Sequence, residues 1–298
     1  MRLGPEAIAR SFLAACRAEI ETLKPGNVHR FAPGHGMTVA TFLDAAAAAA
    51  PAVAAPASRV GRRILTATEA SFSAVGMNAN LGIVLLCAPL AAAAEQVAAE
   101  PTSELSHAEA TSALRRAVAG VLAGLDAEDA RLAFQAIALA SPGGLGARAE
   151  HDVRTAPTIG LVAAMALAAD VDLVARQYVD GYREVFETGL AAVADSAGRG
   201  APEPLGDPAA LAAFLAFAAT FPDGHLARKF GPKVAEDCRK RFRSFTDRLG
   251  RIAAPQARLD AALAFDAALK FEGRNPGTSA DLTVATLFAN ELAQALAG

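Results

Sequence analysis

Apolar positions recur along most of the chain at the three- and four-residue spacing of a helix buried on one face. In residues 6–22, Ile8, Phe12, Leu13, Cys16 and Ile20 form one such stripe, with polar residues falling opposite. The same pattern predicts helices at about 38–50, 59–75, 80–95, 107–125, 127–141, 157–170, 172–195, 208–221, 226–250, 256–271 and 279–296. No alternating run of β-branched residues is long enough to make a strand. The punctuation agrees with this reading. Ser106 with Glu109, and Thr278 with Asp281, fit the S/T-x-x-D/E capping pattern. Asp207–Pro208 sets an N-cap before a proline in the first helical position, and Pro157 suits the same position. Abundant alanine favours slim, closely packed helices. The expected fold is all-α: a single large multi-helix domain over residues 1–298, with polar loops forming a central active-site cleft.

Four polar stretches interrupt the apolar pattern, and a buried helical core leaves chemistry to such places. The first, "KPGNVHRFAPGHG", holds Lys24, Asn27, His29, Arg30 and His35 among turn glycines. The second, "GMNANLG", places Asn78 and Asn80 directly before an apolar run. The third, Ser141 to Thr158, carries His151–Asp152 after a glycine-rich turn. In the fourth, "FEGRNPGTSADL", a Gly/Pro turn delivers Asp281 into the first turn of the last helix. Asp281 reads equally as a capping-box carboxylate, and His151–Asp152 as a solvated pair. Of five histidines, four lie in polar loops, while His107 sits at an ordinary helix start. A basic segment follows Pro222. There Asp223, His225, Arg228 and Lys229 at a Pro/Gly turn suit an anionic ligand. The later Arg239, Lys240, Arg241 and Arg243 suit a solvated helix face. Glu69, in an otherwise apolar helix, calls for a cation, a metal, a hydrogen-bond donor or a surface position.

Composition narrows the classes. Hydrophobic residues make up 53% of 298 and charged residues 20%, enough for a large core. A net charge of −3 argues against nucleic acid as the main partner, since phosphate neutralisation requires a basic domain. Three scattered cysteines without a CxxC pair point to buried thiols in a reducing cytoplasm. The N-terminal stripe carries Glu6, Arg10, Arg17 and Glu19, unlike a signal-peptide core. The longest apolar stretch, Leu81 to Ala94, spans 14 residues and contains Pro89, short of the ~20 that cross a bilayer. The expectation is a cytoplasmic protein without membrane partners, and its apolar alanine-rich faces are compatible with a homodimer.

"KPGNVHR", "GHGMT", "GMNANLG", "EHD" and "NPGTSADL", in this order across nearly the whole chain, resemble the triphosphoribosyl-dephospho-CoA synthase family. The resemblance implies a transferase that joins ATP, as substrate, to 3′-dephospho-CoA through the ribose anomeric carbon and releases adenine. It also implies small-molecule nucleotide partners and, with the triphosphate, Mg²⁺. This chain carries His29 and Gly36 where typical members carry Asp, and Asn80–Leu81 where they carry His-Lys.

Displacement at an anomeric carbon develops oxocarbenium character, which favours nearby carboxylates. The triphosphate calls for cations, and the acceptor hydroxyl for a base. On that basis Asp281 and Asp152, with Glu69, are expected to hold Mg²⁺ or face the developing cation. His35 and His151 are expected to be the acid and base. Lys24, Arg30 and Arg228 are expected on phosphates, and Asn27, Asn78 and Asn80 in substrate binding. Two alternatives stand beside this reading: a related ribosyl transferase with another acceptor, and a non-catalytic nucleotide-binding helical protein.

Overall fold

The computed structural model describes residues 3–34, 36–100, 104–140, 159–197 and 204–298. The helices are α1 (Pro5–Glu21), α2 (Val39–Val53), α3 (Val60–Val75), α4 (Leu81–Ala99), α5 (His107–Ala123), α6 (Ala127–Ala140), α7 (Leu161–Ala166) and α8 (Leu173–Val179). A π-helical turn (Val185–Gly189) leads into α9 (Leu190–Ser196). Then come α10 (Pro208–Thr220), α11 (Gly224–Phe230), α12 (Pro232–Leu249), α13 (Pro255–Phe271) and α14 (Gly277–Ala297). No strand occurs among the described residues; two isolated bridges, His29 with Ala32 and Gly34 with Met37, pin the loop after α1. The all-α fold read from the sequence is therefore the fold of the chain.

Two helices carry the centre. α4 and α14 are apolar on nearly every side and almost wholly buried, as expected of helices surrounded by other helices. α14 packs against α1, α4, α5 and α10, while α2 lies on α3 and α3 on α6. A second apolar cluster joins Leu211, Phe214 and Leu215 of α10 to Phe242 and Phe245 of α12 and to Leu269 of α13. α12 is the contrasting case. Its apolar face lies in that cluster and its basic face is solvated, with Arg239 on Glu236 (2.7 Å) and Arg241 on Glu272 (2.8 Å).

α4 runs to 19 residues, beyond the 14-residue stretch read from the sequence, and by length and composition could cross a membrane. Here 72% of that span is buried by other helices. Pro89 inside it removes the N–H that would bond the Leu85 carbonyl. The Tyr178 hydroxyl donates to that carbonyl instead (2.6 Å), and the Tyr182 hydroxyl donates to Leu86 O (2.8 Å).

Two long expected helices are broken. Residues 172–195 divide where Gly181 and Tyr182 both adopt positive φ (62° and 59°). Tyr182 is fully buried, and its hydroxyl bond to α4 holds it in that left-handed conformation. The expected 226–250 helix divides at Gly231–Pro232, because proline disfavours helical geometry in the residue before it. Gly231 turns with φ 89° and Pro232 opens α12. The Ser106/Glu109 capping box forms, and Asp207 caps α10 before Pro208. The Thr278/Asp281 box does not: α14 starts at Gly277, with Pro276 as its cap residue and no side-chain cap. Pro157 lies outside the described residues.

Candidate active site at the start of α14

The loop after α1 is built into the protein. Gly26 has φ +86°, and a Cβ there would stand 2.7 Å from the Arg274 carbonyl oxygen, so no larger residue fits. Its N–H donates to Asp266 Oδ1 (2.8 Å) on α13. Asn27 Nδ2 donates to Asn275 Oδ1 (2.8 Å), tying the first polar loop to the turn that precedes α14. His29 is buried beside Asp266, with Nε2 3.2 Å from Oδ1, and its Nδ1 accepts from the Phe31 N–H (3.2 Å). Those contacts fix the neutral tautomer, with the proton on Nε2. Burial holds the imidazole below its usual pKa. Lys270 Nζ closes the network on Asp266 Oδ2 (3.0 Å) and on the Ala32 carbonyl (3.3 Å).

α11 fixes the other side of the turn. Asp223 is buried and accepts from the N–H groups of His225 (2.9 Å) and Leu226 (3.2 Å) through Oδ1. Through Oδ2 it accepts from the Ser279 N–H and hydroxyl, both at 2.8 Å. One carboxylate thus caps α11 and holds the first turn of α14. Burial raises its pKa against the Ser279 and Leu226 donors and the charge of Arg228. His225 lies along Gly277, and Arg228 pairs with Asp172 at the cap of α8.

The third wall is the start of α4. Gly82 lies so close to Asp281 that a Cβ on it would sit 2.1 Å from Oδ2. Two residues earlier, buried Asn80 accepts from the Ser71 hydroxyl (2.6 Å) through Oδ1, while its Nδ2 has no partner among the described residues. From α1, Glu19 is buried with Oε1 on Lys24 Nζ (2.6 Å), and its Oε2 likewise has no partner among the described residues. Asp281 itself is half-buried and accepts no hydrogen bond among the described residues. Burial, then the charges of Asp223 and Glu19, push its carboxyl well above the ordinary range, and Arg228 opposes them.

The first, second and fourth polar loops and the Asp223 turn therefore converge on Asp281. The expected residues divide accordingly. Asn27, Asn80, Arg228 and Asp281 belong to this neighbourhood or to its scaffold. Lys24 is fully buried, its ammonium committed to Glu19 and to the Val28 carbonyl (2.7 Å) rather than presented to an anion. Arg30 is exposed over the Phe31 ring, and Asn78 is exposed with Oδ1 accepting from the Leu81 N–H (3.2 Å). Glu69 takes the surface position that its sequence allowed. His35, His151 and Asp152 lie outside the described residues.

Sequence reasoning passed over Glu19, Asp266, Lys270 and Ser279. Glu19 had left a signal: it stands three residues after Cys16 and seven after Phe12, on the apolar stripe of α1. Asp266 had left little, because a carboxylate on an amphipathic helix reads as solvated. Among the described residues no group of three His, Cys, Asp or Glu side chains is arranged for a metal ion. Both carboxylate oxygens of Asp281 nonetheless lack donors among the described residues. That suits an ion such as Mg²⁺, which commonly takes one or two carboxylates plus substrate phosphates.

A search of curated proteins finds no match to this chain. Among solved structures, one described as a candidate triphosphoribosyl-dephospho-CoA synthase from Archaeoglobus fulgidus is similar in fold, with TM-score 0.61. It is 22% identical, over 86% of this chain and 98% of that one. The family model for ATP:dephospho-CoA triphosphoribosyl transferase matches residues 5–297. With five loop motifs in order and four of the polar segments gathered at one helix start, the chain belongs to the ATP:dephospho-CoA triphosphoribosyl transferase family.

Proposed function

We propose that this chain transfers the triphosphoribosyl group of ATP to 3′-dephospho-CoA at the start of α14. The acceptor hydroxyl attacks the anomeric carbon of the ATP ribose. The N-glycosidic bond breaks, and its electron pair leaves with adenine, which takes up a proton. The hydroxyl proton passes to a base, and the triphosphate is retained. Family membership supports the reaction class. The observation that carries the site is Asp281, a half-buried carboxyl without a hydrogen-bond partner among the described residues, where three polar loops meet.

Asp281 either faces the positive charge developing at the anomeric carbon or, with Asp152, holds Mg²⁺, which when bound neutralises the triphosphate. Asp223 keeps the Asp281 turn in place by capping α11 and gripping Ser279. Arg228, partly exposed beside Asp172, is the cation we assign to phosphate oxygens, joined by exposed Arg30 of the first loop. His35 and His151 remain the proposed acid and base.

The departures from the family's usual residues separate into two kinds. His29 is absorbed by the buried Asp266 network and faces no open site, so it does not argue for another acceptor. Asn80 opens α4 two residues before Gly82, which lies against Asp281, and its Nδ2 has no partner among the described residues, so we place any change of substrate there.

The test is to incubate the protein with ATP, Mg²⁺ and 3′-dephospho-CoA and to follow adenine and the adduct by mass spectrometry. Adenine together with an adduct of dephospho-CoA is expected. Adenine that forms only when cell extract supplies the acceptor would replace the acceptor, and ATP binding with no adenine would overturn the enzyme reading.

A further inference from the structure

We infer that Glu19 accepts a hydrogen bond from the 2′-hydroxyl of the ribose being transferred, with Asn80 donating to the same sugar, so that the site selects ribonucleotides over 2′-deoxyribonucleotides. The inference rests on the reading of this site as the ATP site. It starts from two orphaned atoms. Among the described residues, Glu19 Oε2 and Asn80 Nδ2 are buried without a hydrogen-bond partner, in side chains whose other polar atom is well satisfied. Leaving such an atom unpaired costs about 1–3 kcal/mol, so it calls for a ligand or an ordered water.

The two side chains come from elements that pack against the start of α14. Asn80 opens α4 two residues before Gly82, where an added Cβ would stand 2.1 Å from Asp281 Oδ2. Glu19 is placed by helix packing. The Phe12 and Phe288 rings meet edge-on at 5.8 Å where α1 packs on α14. Glu19 is seven residues after Phe12 and Asp281 seven before Phe288, about two turns along each helix on the same face. Both steps run toward the end where the polar loops gather. The electrostatic influence of Glu19 on Asp281 agrees with that placement.

The pair is one acceptor and one donor, and a sugar hydroxyl can satisfy both. If Asp281 faces the reacting anomeric carbon, the group next to it is the hydroxyl on the adjacent ribose carbon. A carboxylate accepting from that hydroxyl strengthens its bond as the oxocarbenium ion forms. Lys24 holds the other oxygen of Glu19 and so keeps the carboxylate oriented.

The experiment compares kcat/KM for adenine release from ATP and from 2′-deoxy-ATP, with 3′-deoxy-ATP as a control, in wild type and in Glu19→Gln. Sites built to bind a substrate hydroxyl reject the analogue lacking it by as much as about 10⁴-fold. Wild type is expected to prefer ATP at least about 100-fold over the 2′-deoxy analogue, and Glu19→Gln to lose most of that preference. Should the single variant fail to fold, Glu19→Gln combined with Lys24→Met removes both charges of the buried pair and takes its place. Equal use of both nucleotides by wild type, or a preference unchanged in the folded variant, would overturn the inference. Absence of adenine from wild type with ATP would instead defeat the reading of the site itself.

Discussion

Asp281 is kept at a disadvantage by its surroundings. Its folded pKa lies above the unfolded one, so it contributes stability below about pH 4 that is lost as pH rises toward the folded value. At pH 7 the carboxylate is therefore a burden on the fold, of the sort that active sites tolerate. Asp281→Asn is expected to raise unfolding stability at pH 7 by about 1 kcal/mol, to leave it unchanged near pH 3, and to abolish adenine release. Denaturant titration at the two pH values, paired with the adenine assay, checks this. A variant that turns over like wild type would remove Asp281 from the reaction. Gly82 is the companion case. A methyl group there would fall 2.1 Å from Asp281 Oδ2, far inside van der Waals contact, so Gly82→Ala must move either the carboxylate or the start of α4. Overpacking of this kind costs about 1–3 kcal/mol, and the adenine assay should lose more than the melting temperature does.

At the level of elements, the helices that bend carry the most specific design. α4 accommodates Pro89 because Tyr178 takes over the carbonyl that the proline leaves free. Tyr178→Phe would bury that carbonyl unpaired and should cost about 1–3 kcal/mol in a urea titration. The larger helices were legible because their apolar stripes and caps are local signals: α5 is announced by Ser106 and Glu109, α10 by Asp207–Pro208. The break at Tyr182 was not, since a left-handed tyrosine is stabilised by a carbonyl on another helix. The break at Gly231–Pro232 was written in the sequence, and the amphipathic run on either side of it concealed it. The candidate site was half legible for the same reason. Polar loops and Asp281 stand out in an apolar chain. By contrast, Asp266 and Asp223 acquire their roles through contacts made across 240 and 56 residues of sequence, and Glu19 through the packing of α1 on α14.

For the whole molecule, the network under the first loop links the two ends of the chain and sets an acid limit on the fold. His29 accepts the Phe31 N–H through Nδ1 and donates from Nε2 to Asp266. Protonation therefore breaks an internal bond and places a second cation beside Lys270, with Lys24 close enough to add to the repulsion. Asp266 favours the protonated ring, but burial outweighs it and the folded pKa lies below the usual value. A histidine with a depressed folded pKa stabilises the protein above its unfolded pKa of about 6.5, and that stability is lost as pH falls below it. Asp266 has the same sign in a lower window. Burial alone would raise it, but the bonds from His29, the Gly26 amide and Lys270 bring it net below its ordinary range. Its contribution disappears below about pH 4. Urea titrations of wild type between pH 7.5 and 5 should therefore show stability falling by up to about 1.4 kcal/mol per pH unit once pH passes below about 6.5. In His29→Gln, which keeps an amide donor for Asp266 but has no proton to gain, that slope should flatten while the steeper loss below about pH 4 remains. An unchanged slope between pH 6.5 and 5 in the variant would show that another group sets the acid limit. A flattened slope accompanied by unaltered adenine release at pH 7.5 would show that this chain's His29 serves the scaffold of the loop and not the reaction.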